Sequence, residues 1–388
     1  MSSPDITEAE RQAVLGVLNT PALSMGEQTL AFEEAVRKFS GHTHAIAVSS
    51  GTTGLHLCVR SSGISAGDLV LTTPFSFVAS SNVLLYENAV PVFVDVDEKT
   101  GNIDPTRLAQ AAEQLSKSSK GSEKLLPRLD ATAKKPKAIL AVDVFGQPAD
   151  YDAITEIAKA HDLALIEDSC EALGAQYRGK LAGQFGQLAV FAFYPNKQIT
   201  TGEGGVIVTD NAEAADFMRA LRNQGRAPGD TWLQHTYLGY NYRLPELSAA
   251  LGRVQMERIN ELLSKREQVA AWYGERLQDV DHLELQHIAA NTTRMSWFVY
   301  VVRLSPQVDR ERLAQLLVEA GVPTRPYFSP IHLQPFMVKR FGYKPGDFPI
   351  AEDLSRRGLA LPFSGVMTEN QVDLVCKELK KAIPKALK

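Results

Sequence analysis

Lys197 stands in the run Val190-Phe191-Ala192-Phe193-Tyr194-Pro195-Asn196-Lys197, which leads through Gln198-Ile199-Thr200-Thr201 into Gly202-Glu203-Gly204-Gly205. Apolar residues before it and a glycine-rich turn after it place this lysine just past the end of a strand. Asp168, 29 positions upstream, closes a second apolar segment, Leu163 to Ile166 followed by Glu167. A lysine and an aspartate at the carboxyl ends of two strands are what pyridoxal phosphate requires, an amine to hold its aldehyde and a carboxylate to hold its ring nitrogen. A lone loop lysine is ordinarily only solvated. Here the glycine cluster permits a tight backbone that fixes the lysine loop against the sheet end. The cluster is not a nucleotide loop, because it precedes a strand and has neither the Walker nor the dinucleotide spacing.

Two further groups could serve such a site. Ser49-Ser50-Gly51-Thr52 ends a strand and opens a helix read over 53–59, so its free backbone N–H groups suit a phosphate, although a serine–glycine–threonine cap is common without any ligand. Phe75-Ser76-Phe77 follows the strand that ends near Thr73. Phe77 could stack on a flat ring, but an aromatic residue in this place is more often part of the core. Asp168 itself needs a partner if it is buried; a protonated ring nitrogen is a natural one, a helix cap the plainer alternative.

The elements that must position these residues form a regular series. Short β-rich apolar runs at 45–48, 69–72, 90–94, 138–142, 163–166, 188–193 and 206–209 alternate with helical patterns. Continuous apolar strands separated by helices predict an α/β fold with a mainly parallel sheet covered on both faces and a ligand site at the strands' carboxyl ends. A helix near 211–222 and a long amphipathic stretch, 245–277, then lead to a strand at 298–304 and helices near 309–320 and 368–382. This pattern predicts a large cofactor-binding domain over 1–248 and a smaller C-terminal α+β domain over 249–388, entered by a long helix. The lysine-rich stretch 115–136 reads as a solvated surface insertion on the face opposite the ligand site rather than as an anion-gathering flap.

With 388 residues, 44% of them apolar, the chain can bury a large core, and its formal charge of -4 carries no global basic field for nucleic acid or an anionic membrane. Three widely spaced cysteines, Cys58, Cys170 and Cys376, fit a reduced compartment and lack metal-ligand spacing, so no metal is expected. The polar start reads as a capped helix rather than a leader, and no apolar run approaches the roughly 20 residues that span a bilayer. A soluble, cytoplasmic protein is expected.

Taken in order, Ser50-Gly51-Thr52, Thr73-Pro74-Phe75-Ser76-Phe77-Val78-Ala79, Pro91 to Asp97, Phe145-Gly146-Gln147-Pro148-Ala149-Asp150, Glu167-Asp168, Tyr194-Pro195-Asn196-Lys197, Gly202 to Gly205 and Leu238-Gly239-Tyr240-Asn241-Tyr242-Arg243 resemble the DegT/DnrJ/StrS sugar aminotransferases, of the fold-type I class. The resemblance runs through most of the chain. It implies that Lys197 carries pyridoxal 5'-phosphate, that Asp168 pairs with its ring nitrogen, that Phe77 stacks on the ring, and that Gly51 and Thr52 contact the phosphate. It also implies that Asn241 reaches the phosphate of a neighbouring subunit, so that a homodimer shares its active sites. The implied activity passes an amino group from L-glutamate, through pyridoxamine phosphate in a ping-pong cycle, to a keto group on a nucleotide-linked deoxysugar. Arg243 and His332 are candidate substrate contacts and equally readable as structural. Two positions depart from the family pattern: Glu171 stands where relatives usually carry glutamine or histidine near the cofactor's phenolic oxygen, and Ala192 where they commonly have a phosphate-binding serine. The alternatives are relatives that aminate cyclitols or make an aminobenzoate, and a non-catalytic sensor of the same fold. Retention of Lys197, replaced by histidine in dehydrating relatives, speaks against dehydration.

Overall fold

The computed structural model describes residues 3–117 and 135–388. Thirteen strands run in chain order among these residues: β1 (His44–Val48), β2 (Leu69–Thr72), β3 (Val90–Phe93), β4 (Pro136–Val142), β5 (Ala164–Asp168), β6 (Gln176–Tyr177), β7 (Lys180–Leu181), β8 (Leu188–Ala192), β9 (Gly205–Thr209), β10 (Leu283–Glu284), β11 (Thr292–Arg294), β12 (Tyr300–Leu304) and β13 (Gly358–Leu361). Seven of them make the main sheet in the order β1-β9-β8-β5-β4-β2-β3. β9 alone runs against its neighbours β8 and β1; the pairs among β8, β5, β4, β2 and β3 are all parallel.

The apolar continuity of these strands has a direct cause. Successive side chains point to opposite faces, and both faces are covered. Ile46, Val48, Leu140, Val142, Ile166, Val190 and Ile207 join one buried cluster with residues of the helices Gly51–Ser61, Ala79–Tyr86 and Ala212–Arg222. On the other face Leu71, Ile139 and Leu165 pack with the helices Pro105–Ser116 and Tyr151–Ala160, and Ala47, Phe191 and Val206 with Glu27–Ser40 and Glu246–Glu257. Truncating one such residue, Leu140→Ala for instance, should cost about 2–5 kcal/mol.

A three-stranded antiparallel sheet, β10-β12-β13, carries the C-terminal part together with the helices Ile259–Leu277, Arg310–Glu319 and Glu369–Ala382, around a cluster that includes Tyr273, Val302, Leu313 and Leu379. The amphipathic stretch expected to be continuous over 245–277 is two helices, broken at Arg258. The Arg258 guanidinium is fastened there by Asp5, Glu10 and Glu261. The division expected at 248/249 falls inside the helix Glu246–Glu257, which packs on the main sheet, and the core changes partners only within the next helix, between Leu263 and Val269. The insertion read over 115–136 lies mostly on 118–134, outside the described residues. Its described ends complete the helix Pro105–Ser116 and begin β4, at the amino ends of the parallel strands. At the N-terminus Thr7 and Glu10 form the capping box of the helix Glu8–Leu18. Among the described residues no helix is long and apolar enough to cross a membrane.

Candidate active site

Register places the site. Val142, Asp168 and Val190 lie side by side across β4, β5 and β8, while Val48, Gly205 and Ala192 lie side by side across β1, β9 and β8. The loops that leave these strand ends converge on a cavity of about 530 Å³, lined among others by Gly51, Thr52, Phe77, Asp168, Glu171 and Lys197. Six of the seven residues expected to hold a cofactor therefore meet there, from the ends of four strands, β1, β2, β5 and β8, and Asp168 and Lys197 share the same chamber.

Asp168 is buried and partnered. Ser80, at the start of the helix Ala79–Tyr86, donates its hydroxyl to Oδ2 at 2.6 Å, and the N–H of Cys170 reaches Oδ1 at 3.3 Å. Because side chains alternate, the adjacent Glu167 points away from the chamber and accepts the N–H groups of Gly183, Phe185 and Gly186. Burial, reinforced by the nearby Asp143, pushes its carboxyl up to about 8. Asp143, at the end of β4, accepts from Ser169, Tyr151 and the N–H of Ala149, and burial raises it to about 7.

Lys197 extends its Nζ to 3.5 Å from Oε1 of Glu171 and to 3.8 Å from the centre of the Phe298 ring. Its loop is held from below. The buried Arg266 guanidinium donates to the carbonyls of Asn196 and Lys197 on one side and of Trp297 and Phe298 on the other. Glycine is required by close approach: a Cβ on Gly205 would stand 2.7 Å from the Ser50 carbonyl oxygen, and one on Gly51 would stand 2.7 Å from Cβ of Ala192 and 2.9 Å from Sγ of Cys170. The backbone cradle at the N-terminus of the helix Gly51–Ser61 is thus open only because these side chains are missing. Ser50 caps that helix through the N–H of Thr53, and the first-turn N–H groups of Gly51 and Thr52 have no intrahelical acceptor.

Phe75 and Phe77 divide because they lie in the turn past β2; in a strand, residues two apart would share a face. Phe75 is 2% exposed and belongs to the core, whereas Phe77 is 63% exposed on the cavity wall. Three expected residues are not brought to the cavity. Asn241 is exposed and bridges to Asn223. Arg243 donates to the Asn223 side-chain oxygen at 3.1 Å. His332 is sealed in the C-terminal part, bonded to Glu352 at 3.1 Å and packed on Phe348, and burial lowers its pKa. Residues with no local signal in the sequence also form the site. Phe298, Tyr327 and Phe328 close its C-terminal wall, and Ser80 supports Asp168 from 88 positions away.

A chamber with a partly buried amine at one end, a partnered carboxylate at the sheet end, an exposed aromatic face and a glycine-lined helix N-terminus fits pyridoxal phosphate group by group. Comparison with known proteins agrees. The model of the DegT/DnrJ/EryC1/StrS aminotransferase family matches residues 4–380. The chain is 36% identical over 386 residues to the GDP-perosamine synthase of Caulobacter vibrioides, covering 99% of this chain and 98% of that one. It is 33% identical to the spore coat polysaccharide biosynthesis protein SpsC of Bacillus subtilis, covering 98% and 96%. Among solved structures, Helicobacter pylori PseC, an aminotransferase of pseudoaminic acid biosynthesis, superposes with a TM-score of 0.88 at 28% identity, covering 99% of this chain and 98% of the other.

Proposed function

Because the chain belongs to the DegT/DnrJ/EryC1/StrS aminotransferase family and is a pyridoxal-phosphate-dependent transaminase, we propose that it moves an amino group from L-glutamate to a keto group of a nucleotide-linked deoxysugar. The observation that carries this reading is the full-length likeness to GDP-perosamine synthase, a protein whose name specifies a nucleotide-linked sugar product. The shared chamber of Lys197 and Asp168 supports it.

When bound, pyridoxal phosphate supplies an aldehyde that condenses with amines and a ring that takes up the electron pair left when a carbon–hydrogen bond breaks. The protein's part is placement and proton handling. Lys197 would hold the aldehyde through Nζ, and its amine would move a proton as base and then as acid. Asp168, kept in place by Ser80 and the N–H of Cys170, holds a proton on the ring nitrogen so that the ring stays an electron sink. The N–H groups of Gly51 and Thr52 bind the phosphate at the positive end of their helix. Phe77 would offer a face to the ring, and Phe298, Tyr327 and Phe328, which line the same cavity, would exclude water.

Asn241 serves a second copy of the chain, on this reading, in a homodimer with shared sites. Its exposure away from its own cavity supports that role, as do the exposed Trp232, Leu233 and Leu238 on the segment leading to it. The deciding experiment incubates the cofactor-loaded chain with L-glutamate and a nucleotide-linked ketosugar and measures the aminated product and 2-oxoglutarate by mass spectrometry. Stoichiometric appearance of both is expected. Cofactor binding with no turnover on any ketosugar, cyclitol ketone or aminobenzoate precursor would instead identify a sensor.

A further inference from the structure

Glu171 is 5% exposed, three residues beyond the end of β5. Its Oε2 accepts the N–H of Phe145 at 2.9 Å, while its main-chain carbonyl accepts from Nε2 of Gln198 at 2.5 Å. Phe145 adopts a left-handed backbone with φ 59°, which turns its N–H toward the carboxylate. The second oxygen, Oε1, has Lys197 Nζ at 3.5 Å. One oxygen is thus anchored and the other faces the amine.

That arrangement solves a problem that the rest of the chamber creates. The Phe298 ring and Glu171 itself stabilise an ammonium on Lys197, yet an ammonium has no lone pair and can neither attack a carbonyl carbon nor accept a proton. A base beside it is needed. Asp168 is poorly placed for this, because its oxygens are engaged by Ser80 and Cys170. The titratable groups facing Glu171 are Lys197, Asp168, Cys170 and Tyr327.

We propose that Glu171 is a further catalytic residue, taking the Nζ proton of Lys197 and returning it as the amine cycles between its charged and neutral forms. In the forward transfer the Nζ–H bond breaks, the Oε1–H bond forms, and an ion pair becomes a neutral pair; the reverse restores both charges. No oxidant, reductant or co-reactant takes part. A dry site lowers the cost of the neutral pair relative to the separated charges, and burial does push the Glu171 carboxyl upward while Lys197 pulls it down. The idea rests on Lys197 being the reacting amine.

The test labels the full-length chain, freed of cofactor and verified as folded by circular dichroism, with acetic anhydride, which acylates only neutral amines. Modification of Lys197 is read by peptide mass spectrometry against pH. A shared proton makes the neutral amine's population independent of pH while the pair holds one proton. Wild-type labelling, corrected for reagent decay, should therefore vary less than about twofold between roughly pH 6 and 9. In Glu171→Gln, whose amide oxygen still accepts from Phe145, labelling should rise about tenfold per pH unit until the lysine is neutral. A purely structural Glu171 would leave the two slopes alike. A tenfold-per-unit rise in the wild type would overturn the proposal even if Glu171→Gln fails to fold. Mapping of borohydride-fixed cofactor tests the assignment of Lys197 separately, so the two ideas can fail independently.

Discussion

Two partly buried base–carboxylate pairs, Lys197 with Glu171 and His332 with Glu352, share a chemistry and differ in their surroundings. Their separations are similar, 3.5 and 3.1 Å. Their surroundings are not. Glu352 receives the N–H groups of Gly346 and Phe348 as well as His332, and the histidine ring is closed in by Phe348 and Tyr343. Glu171 keeps one oxygen toward an amine that lines an open chamber. Residue chemistry alone does not separate the two pairs. What separates them is whether a reactant can reach the base and whether the carboxylate is already saturated with backbone donors.

The largest effect should come from exchanging the two lysine and histidine positions for alanine. Lys197→Ala is expected to lower transamination at least about 10³-fold, since both the covalent anchor and the proton carrier go. His332→Ala should leave turnover per folded molecule within about threefold and lower stability by roughly 2–4 kcal/mol, because Glu352 loses a partner and a filled space opens. Steady-state kinetics beside urea unfolding reads both. Equal losses of turnover would erase the distinction between the pairs.

Asp168→Asn is next. It preserves an acceptor for Ser80 and removes the charge, so kcat should fall about 10²–10⁴-fold with little change in urea midpoint. A loss of stability without a loss of kcat would move Asp168 into the sealed class with Glu352.

Glu167 sharpens the contrast from the other side, as a carboxylate sealed with no base at all. Its folded pKa of about 8 lies above the ordinary 4.5, so its contribution to stability is complete below about pH 4.5 and declines until pH passes about 8. Between pH 5 and 8 the wild type should therefore lose roughly 2–4 kcal/mol more than Glu167→Gln, taken from unfolding curves of both at each pH. Comparing the two cancels the buried histidines His42, His56 and His332, whose lowered pKa values act in the opposite direction.

The smallest change is expected for Ala192→Ser. A hydroxyl beside the N-terminus of the helix Gly51–Ser61 adds one donor for the cofactor's phosphate, worth about 1 kcal/mol or roughly fivefold in cofactor affinity. Equilibrium dialysis measures it, and weaker binding would mean that the cradle has no room for the hydroxyl.

The main sheet was legible because its strands are covered on both faces, so each reads as an uninterrupted apolar run, and strand ends such as Asp168 are then located to within a residue. Lys197 was legible through the glycine turn after it. Phe298, Tyr327 and Arg266 were not, because they reach the site from the C-terminal part by tertiary packing, and nothing within a few residues of them in the sequence marks a ligand. The division between Phe75 and Phe77 was not legible, because residues two apart share a face in a strand and only the turn past β2 separates them. The break at Arg258 was hidden because the apolar rhythm continues through it.

Arg266 has one more consequence. Its guanidinium recognises carbonyl oxygens of residues 196, 197, 297 and 298, not their side chains, and burial lowers its pKa only to about 10, so it remains a cation at neutral pH. The mould around the reactive amine is therefore indifferent to which side chain is cast in it. A chain stripped of the lysine's amine would keep the vacancy that the amine had filled, and such a vessel could retain a ligand it can no longer transform. The same scaffold is in this way one substitution from a receptor.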